Sequence, residues 1–451
     1  MSHTLIFDIG KTNKKCFVFD EKYREVWKEY SRFEEIKDED GFPCDDVLAI
    51  GEWVKSTAKK ILKNKDFDIK TINFSTYGAS FVHIDKNGLP VAPLYNYLKP
   101  FPEKLLTSFY KKYGPEEQIA QETASPLLGM LNSGFQLYWL KYTRPKVYQK
   151  IYRSLHFPQY LSYLFTGILV SEFTSIGCHT RLWDFKKQDY HSWVYREGID
   201  EKLPPIVDTD TSINIKIDGK AIKVGVGIHD SSAALLPYLR TTSRAFLLIS
   251  TGTWSIALNP FSNDVLSKND LKKDCLNFLR IDGNTVKASR LFLGNEYKLQ
   301  LEKLQKHYKV KKDTHKSLQF NETIYKELNK NFKNCFAFES LQLKREQPDK
   351  TDLKAFPTFE MAYHQLMLEL VQLQVESAEL AIGKTSIEKI FIDGGFADND
   401  LFIKLIALHF KHYKIRTTQS PLGSALGAAM VVSSKKVKVN FLKKHYTMKK
   451  Q

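Results

Sequence analysis

Apolar runs punctuated by glycine turns set out the elements of this chain. The first, Leu5-Ile6-Phe7-Asp8-Ile9, stops at Gly10; a short polar turn follows, and Cys16-Phe17-Val18-Phe19 resumes the apolar pattern. Strand-forming residues on both sides of a polar glycine turn predict a β-hairpin over 5–20. Residues 23–50 mix aromatic and charged positions and read as a third strand and a loop. Over 51–65, Trp53, Val54, Ala58, Ile61 and Leu62 recur at helical spacing. Ile69 to Gly78 reads as a strand running into a glycine turn. Phe81 to Asp85 continues as a strand, and Asn87-Gly88 is a hairpin-turn signal. Helices are expected over 102–114 and 134–152.

A second set of elements follows. Val224 to Gly227 is a short strand, and a helix begins where Asp230, Ser231 and Ser232 stand ready to cap it. The opening pattern then returns as Phe246-Leu247-Leu248-Ile249-Ser250-Thr251-Gly252-Thr253-Trp254-Ser255-Ile256-Ala257-Leu258. This echo comes where a second domain of equal size should start, so we divide the chain into 1–240, 241–433 and a basic tail over 434–451. The second half also carries a long amphipathic helix over 358–382, a strand ending in Gly394-Gly395, a helix over 400–412 and a small-residue helix over 423–430.

Length and composition narrow the class. At 451 residues the chain exceeds one ordinary core. A hydrophobic share of 43% with 26% charged residues is that of a soluble globular protein. No apolar stretch reaches membrane-spanning length and no signal-peptide pattern opens the chain, so a cytoplasmic, membrane-free protein is expected. Cys16, Cys44, Cys178, Cys275 and Cys335 are odd in number and never form CxxC, which excludes a zinc ribbon and argues against a disulfide framework. The net charge of +16 comes from dispersed lysines, with clusters at 306–316 and in the tail. No zinc finger, helix-turn-helix or RNA-binding signature accompanies them, so no nucleic-acid partner is expected. A lysine-rich solvated surface is the simpler account.

Candidate chemistry lies at the punctuation. Asp8 is a carboxylate inside an apolar strand, which is costly unless compensated. A metal ion, or a phosphate arriving with one, would compensate it; an ordinary polar strand end is the alternative. Gly10-Lys11-Thr12 invites a P-loop reading, but that motif needs a glycine five residues before its Gly-Lys pair, and Leu5 stands there. Asp230 serves either as a helix N-cap or as a base for a hydroxyl, kept ionised by the helix dipole. Thr251-Gly252-Thr253 is either an ordinary tight turn or a cradle for phosphate on backbone N–H groups. Gly294 and the pair Gly394-Gly395 allow close packing or the approach of a flat ligand. His179 and His229 are solitary, without HxxxH spacing or a Ser-His-Asp set.

The order of these segments resembles the FGGY carbohydrate kinases, from the superfamily that joins sugar kinases with actin, over residues 4 to 432. The resemblance implies an α/β protein of two ribonuclease-H-like (actin-like ATPase) domains with an interdomain cleft, ATP mainly on the second and a sugar mainly on the first. The family's first hairpin, Asp-x-Gly-Thr-x-Ser-x-Arg/Lys, is matched by Asp8, Gly10, Thr12, Asn13 and Lys15, with Lys11 where a Thr usually follows the glycine. Asp8 would then hold Mg²⁺, and Thr12, Asn13 and Lys15 would face ATP. Gly227-Ile228-His229-Asp230 matches the segment of the catalytic Asp, so Asp230 would be the base. Thr251, Gly252 and Thr253 match the second phosphate turn. Gly394, Gly395 and Asn399 match an adenosine segment of three glycines followed by Asn, with Phe396 in place of the third; Gly294 joins the ATP side.

Within the family the look is to rhamnulose kinases, through His229-Asp230-Ser231-Ser232-Ala233 and Ser250-Thr251-Gly252-Thr253-Trp254-Ser255. Their sugar-side Asp-Thr-Trp-Gly-Val-Asp-Phe is here Ser75-Thr76-Tyr77-Gly78-Ala79-Ser80-Phe81, with both acids replaced by serine. Tyr77, Gly78, Ser80, His229 and Asp230 would face the sugar. The implied activity is ATP-dependent phosphorylation of a ketose or deoxyketose such as rhamnulose, fuculose or xylulose. The alternatives are a catalytically silent sugar- or nucleotide-binding relative and a glycerol- or autoinducer-type kinase. A repressor of the superfamily would need an added helix-turn-helix, and the chain opens on the hairpin. A homodimer is left open.

Overall fold

The computed structural model describes residues 2–330, 332–341, 347–419, 423–433, 437, 441–442 and 447–450. Among these residues each half of the chain builds one seven-stranded sheet. In the first, Ser2–Ile9 is central. It pairs antiparallel with Lys14–Asp20, which pairs with Glu25–Ser31, and parallel with Asp68–Thr76 on its other side. Lys220–Gly225 and Ile228–His229 add to Asp68–Thr76, and Ser212–Ile217 closes that edge. In the second sheet Phe246–Thr251 holds the same place, antiparallel to Ser255–Asn259 and parallel to Lys389–Gly394. The echo between 5–20 and 246–258 therefore has a structural basis: each is the central hairpin of its own sheet.

Two helices lie between the sheets. Asp230–Thr241 and Gly423–Val431 cross so closely that a Cβ on Gly427 would sit 1.8 Å from the carbonyl oxygen of Ala233. Only glycine allows that approach. Asn73 pins the pair to the first sheet: its Nδ2 donates to the Ala428 carbonyl (2.8 Å) and its Oδ1 accepts from Gly227 N (3.1 Å). Apolar side chains of both helices share one core with Ile6, Phe17 and Phe19 of the first sheet and Phe246, Leu248 and Phe391 of the second. Each fully buried side chain of this kind contributes roughly 2 kcal/mol, so the helix pair ties the halves together.

Some elements differ from expectation. The helix expected over 51–65 is Val47–Lys63; it starts early because Asp46 caps it, accepting from Leu48 N and Ala49 N. The helix expected over 134–152 is two, Ser133–Thr143 and Pro145–Lys150, because Pro145 lacks an N–H and fits only a first turn. The Asn87-Gly88 turn forms, with Gly88 at φ +81°, but Phe81–Ile84 takes its main partner from Arg153–His156. The long helix is Phe359–Ile382.

The five lysines of the 306–316 cluster are exposed, as a solvated surface requires. Four of the five cysteines are buried, and all are free. No helix among the described residues is long and apolar enough to cross a membrane. The expected basic tail lies outside the described residues except for 437, 441–442 and the strand Thr447–Lys450, which pairs antiparallel with Lys414–Gln419.

Candidate active site

Asp230 opens the helix Asp230–Thr241, and the cap position falls to His229, whose side chain makes no capping bond. The expected cap by Asp230 is not made. Its Oδ1 accepts from the adjacent Ser231, N at 2.6 Å and Oγ at 3.2 Å, rather than from an N–H two or three residues on. The carboxylate stays 33% exposed and available to a ligand. Burial of the rest raises its pKa to about 6, against the opposing pull of the Ser231 hydrogen bonds. Loss of water raises the pKa despite the helix dipole, yet the group stays ionised at neutral pH, as expected. It is close to the ideal range for a base.

His229 lies against that carboxylate. Its Nε2 lies 3.2 Å from Asp230 Oδ1 and 3.2 Å from Cys178 Sγ, and its Nδ1 lies 3.3 Å from Ser232 Oγ. Burial lowers its pKa to about 4, so the imidazole is neutral. Gly78 gives the ring room: a Cβ there would stand 3.0 Å from His229 Cδ2 and 3.2 Å from Cys178 Sγ. Gly78, His229 and Asp230 are thus brought together as the sequence suggested.

Asp8 ends the central strand opposite Lys15 on one side and Ser75 on the other. Burial raises its pKa; Lys15 and the hydroxyls of Ser424 and Ser75 oppose this, and the charge of Asp230 adds to it. The charge of Asp230 therefore reaches Asp8. Beside Asp8 the turn closes with Gly10 N donating to Asn13 O (2.9 Å), leaving Thr12 and Asn13 exposed. Its echo closes with Gly252 N donating to Trp254 O (2.8 Å), leaving Gly252 and Thr253 exposed. Among the described residues no three His, Cys, Asp or Glu side chains are grouped to hold a metal. A single buried carboxylate such as Asp8 would still suit Mg²⁺, which keeps several waters and takes its other ligands from phosphates.

On the second half, several expected ligand residues are occupied in holding the turns. A Cβ on Gly294 would fall 1.9 Å from the Gly252 carbonyl oxygen, and one on Gly394, at φ +82°, 1.8 Å from that of Thr251. Thr251 Oγ1 donates to the Asp393 carbonyl and accepts from Phe396 N at 3.0 Å. Gly395 is exposed, and a Cβ there would meet nothing nearer than 3.9 Å, so its face stays open. Phe396 turns inward; it is buried, its ring 4.8 Å from Phe402 and 5.0 Å from Tyr297. Asn399 caps the helix Asp400–His409 through Phe402 N (3.0 Å) and donates from Nδ2 to the Tyr363 hydroxyl (2.9 Å).

On the first half, Tyr77 and Lys11 meet a residue that sequence reasoning missed. Asp45 is 3% exposed and accepts from Tyr77 Oη (2.7 Å), Lys11 Nζ (2.7 Å) and Lys14 Nζ (2.8 Å). Lys11 also reaches Glu35 at 3.1 Å, so its charge is drawn away from the phosphate turn. One signal was available: Asp45-Asp46 is a doublet, and a helix needs one cap. Ser80 is buried, and its hydroxyl has no partner among the described residues. A cavity of about 710 Å³ lies where Leu127, Leu128 and Leu131 face Trp254, Arg290 and Phe292 of the second half; neither Asp8 nor Asp230 lines it.

This geometry has known counterparts. The N-terminal domain model of the FGGY family of carbohydrate kinases matches residues 3–236, and the carbohydrate kinase FGGY C-terminal domain model matches 243–439. The chain belongs to the FGGY family of carbohydrate kinases. Among curated FGGY relatives, a rhamnulokinase of Halalkalibacterium halodurans is 24% identical over 273 residues, 57% of this chain and 56% of that protein. One from Pectobacterium atrosepticum is 29% identical over 196 residues, 41% of this chain and 38% of its own. The chain spans about half the length, or less, of these relatives. Among solved structures, a carbohydrate kinase from Novosphingobium aromaticivorans superposes with a TM-score of 0.79 at 23% identity, covering 100% of this chain and 94% of that one. Xylulose kinase from Lactobacillus acidophilus gives 0.80 at 14%, covering 100% and 93%. At such identities the structures establish the fold: two actin-like ATPase domains of the FGGY kind.

Proposed function

We propose that this FGGY protein transfers the γ-phosphoryl group of ATP to a hydroxyl of a ketose or deoxyketose of the rhamnulose, fuculose or xylulose kind. The observation that carries this reading is Asp230: a carboxylate at a helix start that does not cap its helix, stays partly open and whose charge reaches Asp8. In the reaction the acceptor oxygen forms a bond to the γ-phosphorus while the bond to the β,γ-bridging oxygen breaks. ADP leaves with that electron pair, and Asp230 takes the hydroxyl proton. The loose transition state of phosphoryl transfer asks the base mainly to orient the nucleophile. The neutral His229 ring lies 3.2 Å from that carboxylate and borders the place where the acceptor would bind.

The exposed turns at Thr12-Asn13 and Gly252-Thr253, with Lys15 beside Asp8, offer donors to the phosphates from the two halves. Residues 1–240 would form the sugar side and 241–433 the ATP side, with Gly395 open to the nucleotide. Mg²⁺ held by Asp8 would neutralise charge on the β- and γ-phosphates. Closure of the halves would exclude water, the competing acceptor.

The test is ADP release over a panel of ketoses and polyols. Turnover with one or more ketoses supports the proposal. Tight ATP binding with no panel sugar phosphorylated would favour the catalytically silent relative instead, and turnover with glycerol alone would move the chain to a glycerol-type kinase.

A further inference from the structure

Lys11 occupies the turn position where its relatives carry a hydroxyl, yet its side chain does not join the turn. Asp45 draws the ammonium to 2.7 Å and Glu35 to 3.1 Å, and the cation rests 5.8 Å from the centre of the Tyr77 ring. Tyr77 in turn packs edge-on against Tyr97, ring centres 6.1 Å apart. The residue after Tyr77 is Gly78, which touches His229 beside the Asp230 carboxylate. A line of contacts thus runs on the first half from Asp230 through the buried His229 and Tyr77, with Gly78 between them, to a partly exposed surface at Tyr97 and Lys11.

That surface has unspent hydrogen-bonding capacity at its far end. An ammonium has three N–H donors, and Lys11 uses two. The Glu35 partner is 46% exposed, so that contact is weak and exchangeable. The Tyr97 hydroxyl is bonded to no described residue. Burial raises its pKa; the Lys11 charge opposes this, and the charges of Asp230 and Asp45 add to it. Asp45 is nearly fully buried and fixed by three donors, so it acts as the anchor.

We propose that Lys11 and Tyr97, held in place by Asp45, form the far wall of the acceptor site and select acceptors by hydrogen-bonding hydroxyls distal to the one phosphorylated. The inference rests on the sugar-kinase reading above. It assigns Lys11 to the sugar and not to phosphate, and it favours acceptors long enough to span from Asp230 to that wall, pentuloses and hexuloses over triols.

The experiment uses the full chain and four proteins: wild type, Lys11→Thr, Lys11→Arg and Tyr97→Phe. KM for acceptor and KM for ATP are measured separately on the best ketose and on glycerol. Lys11→Thr and Tyr97→Phe are expected to raise the ketose KM about fivefold or more each, with the ATP KM held within about twofold and the glycerol KM unmoved. Lys11→Arg is expected to restore most of the loss. An increased ATP KM with an unchanged ketose KM overturns the assignment, as does an equal loss on ketose and glycerol, the mark of a merely structural residue. Calorimetric binding of the same sugars without ATP separates the two proposals. If wild type phosphorylates nothing, the kinase reading fails, while a Lys11-dependent ketose affinity still upholds the wall and a Lys11-independent one removes it.

Discussion

Each half buries one acid at the centre of its sheet, on opposite strands of the same pair. In the first, Asp8 on the central strand faces Ser75 on its parallel neighbour; in the second, Ser250 on the central strand faces Asp393. Both are buried, 7% and 5% exposed, and burial raises the pKa of both, Asp393 to about 6. They differ in what reaches them. Asp393 accepts from the Tyr238 hydroxyl at 3.0 Å, and that hydroxyl is itself 2.6 Å from Thr418 Oγ1, so a phenol ring closes the site. Asp8 has Lys15 and the charge of Asp230 for company, and the exposed Thr12-Asn13 turn beside it. A raised pKa in a buried acid is therefore poor evidence of function by itself; the neighbours decide whether the site is stoppered or open.

The largest expected effect separates the two acids by activity. Asp8→Asn should lower kcat by about a hundredfold or more, while Asp393→Asn keeps at least about half of it; steady-state ADP release with circular dichroism as a folding control reads both. Equal losses would erase the distinction. Next, Tyr238→Phe should destabilise by roughly 2 kcal/mol, since it leaves Asp393 and Thr418 without their shared hydroxyl, with kcat unchanged; denaturant unfolding measures it. The smallest effect is a gain. Native Asp393 holds its proton to a higher pH than the unfolded chain does, so its ionisation costs stability as pH rises from 3.8 through about 6. Asp393→Asn escapes that cost. Its unfolding midpoint should exceed wild type at pH 7.5, by on the order of 1 kcal/mol, and the gap should close below pH about 4.

What was legible in the sequence was local. The hairpins at 5–20 and 246–258 announce themselves because both strands and the turn lie within some fifteen residues, and their repetition gave the two-part fold. Glycines 294, 394 and 427 were visible as glycines, but their reason was not: each faces a backbone oxygen, of Gly252, Thr251 or Ala233, that only the tertiary fold brings near. Beyond the Asp45-Asp46 doublet, the role of Asp45 was hidden for the same reason, since Lys11, Lys14 and Tyr77 are 34, 31 and 32 residues away. The capping role of Asp230 was misjudged, because propensity favours the cap while the short strand Ile228–His229 sets the backbone so that His229 takes that position. The break at Pro145 was readable, and the helical periodicity around it concealed it.

The central claim is that Asp230 is the base, and one experiment addresses it directly: single-turnover phosphoryl transfer to the best ketose by wild type and Asp230→Asn, across pH 5 to 8, with ATP binding measured in parallel. The account predicts that the variant binds ATP as wild type does and transfers about a thousandfold more slowly. It also predicts that the wild-type rate falls as pH drops through about 6, when the carboxylate takes up its proton, and that the variant's residual rate shows no such fall. Undiminished transfer by Asp230→Asn, or a wild-type profile flat across that range, would contradict it.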